Sequence, residues 1–466
     1  MVKTKFQPNP ITQLADYYDL IIVGSGATGL VAALQAYELG LHPVILEKMA
    51  QLGGNTNRAS SGMNAAETEV QLKHHIVDSF AAFYDDTLNG GDRQNNPELL
   101  HYFTTHAALA VDWLADHDIE LDDVTITGGM GTKRTHRPSS MAPIGNFLVT
   151  ALLNLIQEAQ IPVFTQVTVQ KIRMNAKQVC GVSAELFDGT NRQINGAAVI
   201  LATGGFGANQ QLIGSYRPDL VHYRTTNQPG ATGDGLTLAT DVGAALVDME
   251  KIQVHPTVQQ DHDHAFLIGE AVRGEGAILV DRTGHRFVNE LATRKMVTAA
   301  INTRPEHDAY LILDQGVRDH AKAIEFYDSI GLVIHGSDLA SLAANIGVDE
   351  TNLRTTVEQW NQAVAIHTDA QFHRTTGMDR QLNQPPFFAI HVKPAVHYTM
   401  GGLKVNHQTE VLNSAAEPIA GLFAGGEVAG GLHGDNRIGG NSIAETVVFG
   451  RQAGQQAFRY LQNSNK

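Results

Sequence analysis

The 466-residue chain contains a single cysteine, Cys180. One thiol excludes an internal disulfide, a Cys-ligated iron–sulfur cluster and a C-x-x-C-H haem attachment, so any redox chemistry must use a group held without thiol ligands. Charge is also scarce. Asp, Glu, Lys and Arg make up 17% of the residues, against ~25% in an average globular protein. It is lopsided too, with 33 Lys and Arg against 48 Asp and Glu and a formal net charge of −15. No basic block is present, which argues against a nucleic-acid or anionic-membrane surface. Residues 20–37 carry no charge and are long enough to prompt a transmembrane reading. Three glycines, two hydroxyl residues and a glutamine interrupt them, so a buried strand, loop and helix is expected instead. The opening MVKTKFQPNPITQLADYYD lacks the apolar core of a signal peptide. A cytoplasmic chain without membrane insertion is the expectation.

What the chain has in excess is glycine, 45 residues, about one in ten against a usual ~7%. Low charge and high glycine suit a large α/β enzyme with tight turns around a cofactor, not a disordered or fibrous chain. The first informative unit is YDLIIVGSGATGLVAALQAYELGLHPVILEK. Leu20 to Val23 reads as a buried strand and is followed by Gly24, Gly26 and Gly29. A helix with apolar Leu30, Ala33, Leu34 and Ala36 comes next, and a second strand, Pro43 to Leu46, ends at Glu47. In such a βαβ unit the first glycine makes the turn, the second admits a pyrophosphate and the third lets helix pack on strand. The helix N-terminus faces the phosphates, and an acid about 20 residues on accepts from a ribose hydroxyl. That acid is Glu47.

Two later segments favour FAD over NAD. AAVILATGGFGAN (197–209) is a strand ending in Thr203-Gly204-Gly205, and residues 421–454 give a strand, a glycine-rich loop and an apolar helix. A fold that returns to its glycine loops at the C-terminus encloses a large ligand from both ends of the chain. There Glu427 can accept from a ribityl chain, and a helix opening at Asn441-Ser442-Ile443 can aim N–H groups at a flavin edge. The expected fold is α/β, a Rossmann-like FAD-binding domain with an inserted α+β capping (clamp) domain. Residues 1–250 and 398–466 form the first and second parts of the FAD-binding domain, and 251–397 form the cap, joined by two linkers able to act as hinges. In the cap the pattern predicts a β-hairpin (Ala277–Val280 and His285–Val288) and a helix with Leu353, Val357, Trp360 and Val364 on one face.

Polar residues concentrate in QVHPT (253–257), GEAVRGEGA (269–277), RFVNELATRK (286–295) and VHYTMGG (396–402). They contribute His255, Glu270, Arg273, Arg294 and His397, and Arg437 joins from the C-terminal glycine loop. Histidine and arginine among glycines suit an anion site, because Arg binds carboxylate bidentately and imidazole adds hydrogen bonds. A metal site, with His255, His397, His262 or His264 as ligands, is weighed and set aside, since DHDHAF reads as a solvated turn.

These runs resemble the FAD-dependent fumarate reductase/succinate dehydrogenase superfamily, most closely its soluble flavocytochrome c type. The matching runs are VGSGATGL, LEKMAQLGGNT, ILATGGFGAN, TNQPGATGDG, IQVHPT, EAVRGEGAIL, RFVNELATR, HYTMGG and GEVAGGLHGDNRIGGNSI, in order across about residues 18–455. No haem domain is expected, as the resemblance starts at the flavin fold. The resemblance implies Arg294 as active-site acid, with Glu270 and Arg273 relaying its proton. His255, His397 and Arg437 would bind substrate carboxylates, assisted by Gly440 and the Gly269 position. It also implies non-covalent FAD at Gly24, Gly26, Ala27, Gly29, Glu47, Lys48, Gly54, Asn55, Thr56, Gly62, Thr203, Gly204, Asp234, Tyr398, Glu427, Ser442 and Ile443. No metal is expected.

The implied reaction is fumarate to succinate. Hydride leaves flavin N5 for one alkene carbon and Arg294 protonates the other. An arginine can serve as acid only if Glu270 and Arg273 return its proton and water is excluded. Three departures bear on specificity. Gly269 replaces the family's threonine, so one hydroxyl donor to a carboxylate is missing, and Thr127 and Leu267 replace methionines. The rivals are a reductase of another 2-enoate, urocanate- or acrylate-like, and a non-catalytic electron-transfer flavoprotein; a ketosteroid-type dehydrogenase would want tyrosines and an apolar pocket. The expected partners are a small dicarboxylate and an electron donor the sequence does not identify (reduced flavin, a reductase or a partner protein).

Overall fold

The computed structural model describes residues 6–140 and 142–464; the first five residues of the N-terminal stretch read above lie outside the described residues. The chain opens with β1 (Leu20–Val23), α1 (Ala27–Glu38) and β2 (Pro43–Glu47), and returns to the same sheet with β3 (Val163–Thr165) and β4 (Ala198–Leu201). The middle of the chain gives β5 (Ile252–Gln259), α2 (Glu270–Gly274), β6 (Ile278–Val280), α3 (Arg294–Asn302) and β7 (Ala309–Asp314). Then follow α4 (Ala323–Ser329), α5 (Glu350–Ala365) and β8 (Phe387–Thr399), and finally β9 (Pro418–Ala424) and the long α6 (Asn441–Ser464).

Among the described residues, five strands of the nine-stranded first sheet run β3-β2-β1-β4-β9, all parallel, with Leu20 paired to both Pro43 and Ala198; the remaining strands, which include antiparallel pairs, complete the sheet beyond β9. β1 is LIIV with every residue buried, as a strand covered on both faces requires. The glycines after it answer to crowding. A Cβ on Gly24 (φ +107°) would lie 2.4 Å from the Ala202 carbonyl oxygen, and one on Gly29 would lie 2.1 Å from that of Gly24. Only residues without a Cβ let β1, β4 and α1 approach this closely.

The second sheet is antiparallel and contains β5, β8, β7 and β6 in that order. It carries its own apolar cluster, including Leu311, Ile312, Trp360 and Phe388. β5 and β8, where the chain enters and leaves this half, pair with each other and shift register beside His255. The two crossings are therefore hydrogen-bonded neighbours rather than independent strings.

α5 buries Leu353, Val357, Trp360 and Val364, as their spacing predicts. The expected hairpin at 277–288 is different. Ile278–Val280 pairs with β7, and the return segment makes one bridge, Val280 to Arg286. The Arg286 side chain donates from Nε and Nη2 to Glu290, each at 2.8 Å. Among the described residues no helix is long and apolar enough to cross a membrane.

Candidate active site

The C-terminal ends of the parallel strands open into a cavity of about 940 Å³, lined by Val23, Leu46, Ala202 and Gly425 among others. This edge is where open α/β sheets bind ligands. The N-terminus of α1 faces it, with Ala27 N–H donating to Thr56 Oγ1 at 3.1 Å. Glu47 Oε2 accepts from Ser25 N–H (3.0 Å) and Oγ (2.6 Å), which fixes its carboxylate at the end of β2. Lys48 Nζ donates to Thr232 Oγ1 and Asp234 Oδ2, both at 2.6 Å. Asn55 Nδ2 donates to Glu427 Oε2 at 3.3 Å, and Glu427 Oε1 accepts from Thr399 N–H at 3.0 Å. Burial raises the Glu427 carboxyl above its ordinary value despite those donors. The buried Thr203 hydroxyl has no partner.

Of the expected cofactor residues, Gly24, Gly26, Ala27, Glu47, Lys48, Gly54, Asn55, Thr56, Thr203, Gly204, Asp234, Tyr398, Glu427, Ser442 and Ile443 line this cavity. Gly29 and Gly62 do not; both are packed against backbone carbonyls.

At one end of the same cavity stand Glu270, Arg294, His397 and Arg437. Glu270 and Arg294 are the first residues of α2 and α3, so two short helices present them from separate parts of the second sheet. Arg294 Nε donates to Glu270 Oε1 at 2.6 Å and its Nη1 donates to Gln253 Oε1 at 3.0 Å. Behind Glu270, Arg273 Nη2 lies 3.6 Å from the same Oε1, and Arg273 Nε and Nη2 lack hydrogen-bond partners. Burial alone would raise Glu270, but Arg294 and Arg273 hold it below its usual value, so it is a carboxylate. Burial pushes Arg273 down to about 10.

The carboxylate-binding candidates share this unfinished character. Arg437 is 1% exposed, lies 4.4 Å over the Tyr398 ring and donates from Nη1 to Ser442 Oγ at 3.1 Å, while its Nε has no partner. Burial, then repulsion from Arg294, brings it down to about 10. His255 and His397 stand with ring centroids 5.2 Å apart. Burial and the neighbouring arginines lower both well below 6.5, so both are neutral at pH 7. His255 Nδ1 accepts from Thr257 N–H, which leaves the ring proton on Nε2, buried and unpartnered. Four buried donor atoms without acceptors gather at this end, Arg437 Nε on the lining and His255 Nε2 and Arg273 Nε and Nη2 one layer behind it, an arrangement that fits an incoming anion. His255, Gly269, Arg273 and Gly440 stand behind the lining rather than in it.

The sequence did not single out Gln253, Thr226 or Tyr327. Gln253 lies in the quoted QVHPT run; its Nε2 donates to Asn436 Oδ1 and the Arg437 carbonyl. Thr226, in the TNQPGATGDG run, shares a 2.7 Å hydrogen bond with His397 Nδ1. Tyr327 sits on α4, far from any such run, and nothing in its local sequence marks it. Thr127 spends its hydroxyl on the Gly439 carbonyl (3.1 Å) and does not line the cavity, whereas Leu267 does.

A glycine-lined crossover at the mouth of a parallel sheet, with a second sheet supplying charged side chains to the same cavity, defines a dinucleotide-binding flavoprotein fold. The profile of the FAD binding domain family matches residues 19–443, and the chain belongs to that family, in the branch that includes the fumarate reductase flavoproteins. It is similar to an NADH:fumarate oxidoreductase of Klebsiella pneumoniae, 46% identical over 94% of this chain and 47% of that one. The chain thus spans about half the length of that relative. It is 38% identical to a fumarate reductase (cytochrome) of Shewanella frigidimarina over 96% of this chain and 78% of that one. Among solved structures it is similar to the open conformation of a flavocytochrome c3 fumarate reductase. The TM-score is 0.79 at 36% identity, covering 97% of this chain and 79% of that one. The cofactor is FAD. The residues fit it: α1 offers N–H groups for a diphosphate, Glu47 and Glu427 offer acceptors for hydroxyls, and the unpartnered Thr203 hydroxyl faces the same space.

Proposed function

We propose that the chain reduces fumarate to succinate with non-covalently held FAD. The observation that carries this reading is the buried series Arg294–Glu270–Arg273, set beside Arg437 and two neutral histidines at one end of the FAD cavity. When bound and reduced, the flavin supplies the hydride. Arg437, His255 Nε2–H and His397 bind the substrate carboxylates and stabilise charge that builds on them as the alkene is reduced. Arg294 gives a proton to the second alkene carbon from Nη2, the edge of its guanidinium left free by Glu270 and Gln253. Glu270 returns a proton to Arg294 and is itself resupplied from Arg273. Hydride and proton together convert the double bond to CH₂–CH₂. Burial keeps water from competing for either.

In this reading residues 251–397 act as the cap, with β5 and β8 as its paired crossings, and the electron donor is a reduced flavin, a reductase or a partner protein. Another 2-enoate, urocanate- or acrylate-like, is the second reading, favoured by a cavity whose lining also includes Phe266, Ala323 and Phe326. The test is to reduce the flavoprotein anaerobically, mix it with fumarate and follow flavin reoxidation by absorbance. Rapid reoxidation that is lost in Arg294→Ala supports the proposal. Retained FAD with no reoxidation by fumarate, but reoxidation by an acrylate or urocanate, would transfer it to the second reading.

A further inference from the structure

The backbone at Gly269 offers no side chain to the cavity, yet two hydroxyls close around it. Gly269 is the residue before Glu270, and its N–H donates to Tyr327 Oη at 3.1 Å. A Cβ placed there would stand 3.1 Å from Ser60 Oγ and 3.5 Å from Tyr327 Oη. Tyr327 is 4% exposed and lines the cavity together with Ser60, Glu270 and Arg294. It arrives from α4 in the second sheet's half, whereas Ser60 comes from the segment after β2, so two distant parts of the chain bring hydroxyls to the Gly269 backbone.

Both hydroxyls are available. The Gly269 N–H occupies one lone pair of Tyr327 Oη and orients the phenol, while its O–H hydrogen has no acceptor among the described residues, and Ser60 Oγ has no hydrogen bond at all among them. Burial raises the phenol above its ordinary 10, so it stays protonated and donates. A carboxylate accepts about four hydrogen bonds, and the hydroxyls of Ser60 and Tyr327 are the polar groups nearest a Cβ placed at Gly269.

We propose that Tyr327, assisted by Ser60, is a specificity-determining residue: its phenol O–H donates to the substrate carboxylate lying over Gly269. The cap half thereby supplies from α4 the hydroxyl that position 269 lacks. The inference rests on the dicarboxylate reading above and adds the residue that reads one carboxylate. A purely structural role, tethering α4 to the start of α2, is the competing account, and the experiment separates them.

In full-length flavoprotein, Tyr327→Phe removes the hydroxyl and keeps the ring. A hydrogen bond to a charged group is worth roughly a 10- to 100-fold change in binding. KM for fumarate should rise by about that factor, kcat should stay within about threefold, and the FAD absorbance spectrum should be unchanged. Kd for succinate, titrated by flavin difference absorbance without turnover, should rise in parallel. The double variant Gly269→Ser, Tyr327→Phe places a hydroxyl in the vacated space and should recover most of the lost affinity. KM and Kd within twofold of wild type in Tyr327→Phe would overturn the inference. A loss that the double variant leaves uncorrected would overturn it as well, assigning Tyr327 to tethering alone. Wild-type protein that binds succinate but does not reduce fumarate would defeat the functional reading while leaving this test intact.

Discussion

Arg294 Nε reaches Glu270 Oε1 at 2.6 Å, while the other oxygen of that carboxylate, Oε2, is buried without a partner. The pair is made possible by Gly439 in the C-terminal glycine loop: a Cβ there would lie 2.2 Å from Glu270 Oε2 and 3.0 Å from Arg294 Nη2. The first sheet's last loop therefore bounds the proton-carrying pair offered by the second sheet's helices.

Positioned general acids contribute about 10²- to 10⁴-fold. Arg294→Ala should lower kcat for fumarate by roughly 10³-fold or more with FAD retained, because donor and charge are lost together. Glu270→Gln keeps the shape and removes the carboxylate that restores the proton. Its kcat should fall about 10²-fold or more while KM changes little. Gly439→Ala tests the geometry, since it should lower kcat without altering either charged group. Steady-state kinetics decide all three, and wild-type kcat in Glu270→Gln would remove Glu270 from the proton route.

Gln253 links both sides of the site: it accepts from Arg294 Nη1 at 3.0 Å and donates to the Arg437 carbonyl at 2.7 Å. Gln253→Leu frees Arg294 to turn and leaves a buried N–H unpaired, an error of about 1–3 kcal/mol. The expected outcome is a 10- to 100-fold fall in kcat. Succinate affinity should weaken less, because the Arg437 side chain keeps its contacts with Ser442 and Tyr398. An equal loss in both quantities would place Gln253 in substrate binding instead.

Substrate binding should be indifferent to pH near 6.5, because His255 and His397 are neutral well below their ordinary value. Of the two arginines brought down to about 10, Arg437 and Arg273, Arg437 lines the cavity and is the one whose titration the substrate meets. A dianion prefers its protonated form, so affinity is full below that pKa and falls as pH rises through it. Succinate Kd should be flat from pH 6.5 to 9 and climb above about 10, approaching tenfold per unit. An inflection near 6.5 would require one of the two histidines to be charged in the free site.

The first βαβ unit was legible because its information is local: an uninterrupted LIIV strand, then glycines at 24, 26 and 29, then an acid at the end of the next strand. The motif runs likewise named Arg294, Glu270, His397 and Arg437. No local pattern could say that α2, α3, β8 and the C-terminal loop would bring these four to one cavity end. What stayed hidden was tertiary. Tyr327 accepts from a backbone N–H 58 residues away, and the return segment of the expected hairpin keeps a single bridge, Val280 to Arg286. Thr127, read as bearing on specificity, turns its hydroxyl to the Gly439 carbonyl.

Glu290 is the electrostatic centre of the second sheet's half. Fully buried, its carboxylate accepts from Arg286 at 2.8 Å twice and from Arg374 at 3.0 Å, and both guanidiniums lie over the Trp360 ring, 4.8 and 4.6 Å from its centroid. Removing one partner of a buried ionic network costs about 3–5 kcal/mol, since the remaining charges stay buried. Glu290→Gln should therefore lower the thermal midpoint measured with FAD saturating. Burial alone would raise the Glu290 carboxyl, but Arg286 and Arg374 hold it below 4.5. With the folded value depressed, the unfolded chain binds the extra proton. The stabilisation is complete above pH 4.5 and is lost as pH falls through the lower, folded value. Wild type should thus lose stability steeply below pH 4.5 and Glu290→Gln less so, the two midpoints converging in acid. Midpoints that fall in parallel would show that this network is not what acid disrupts.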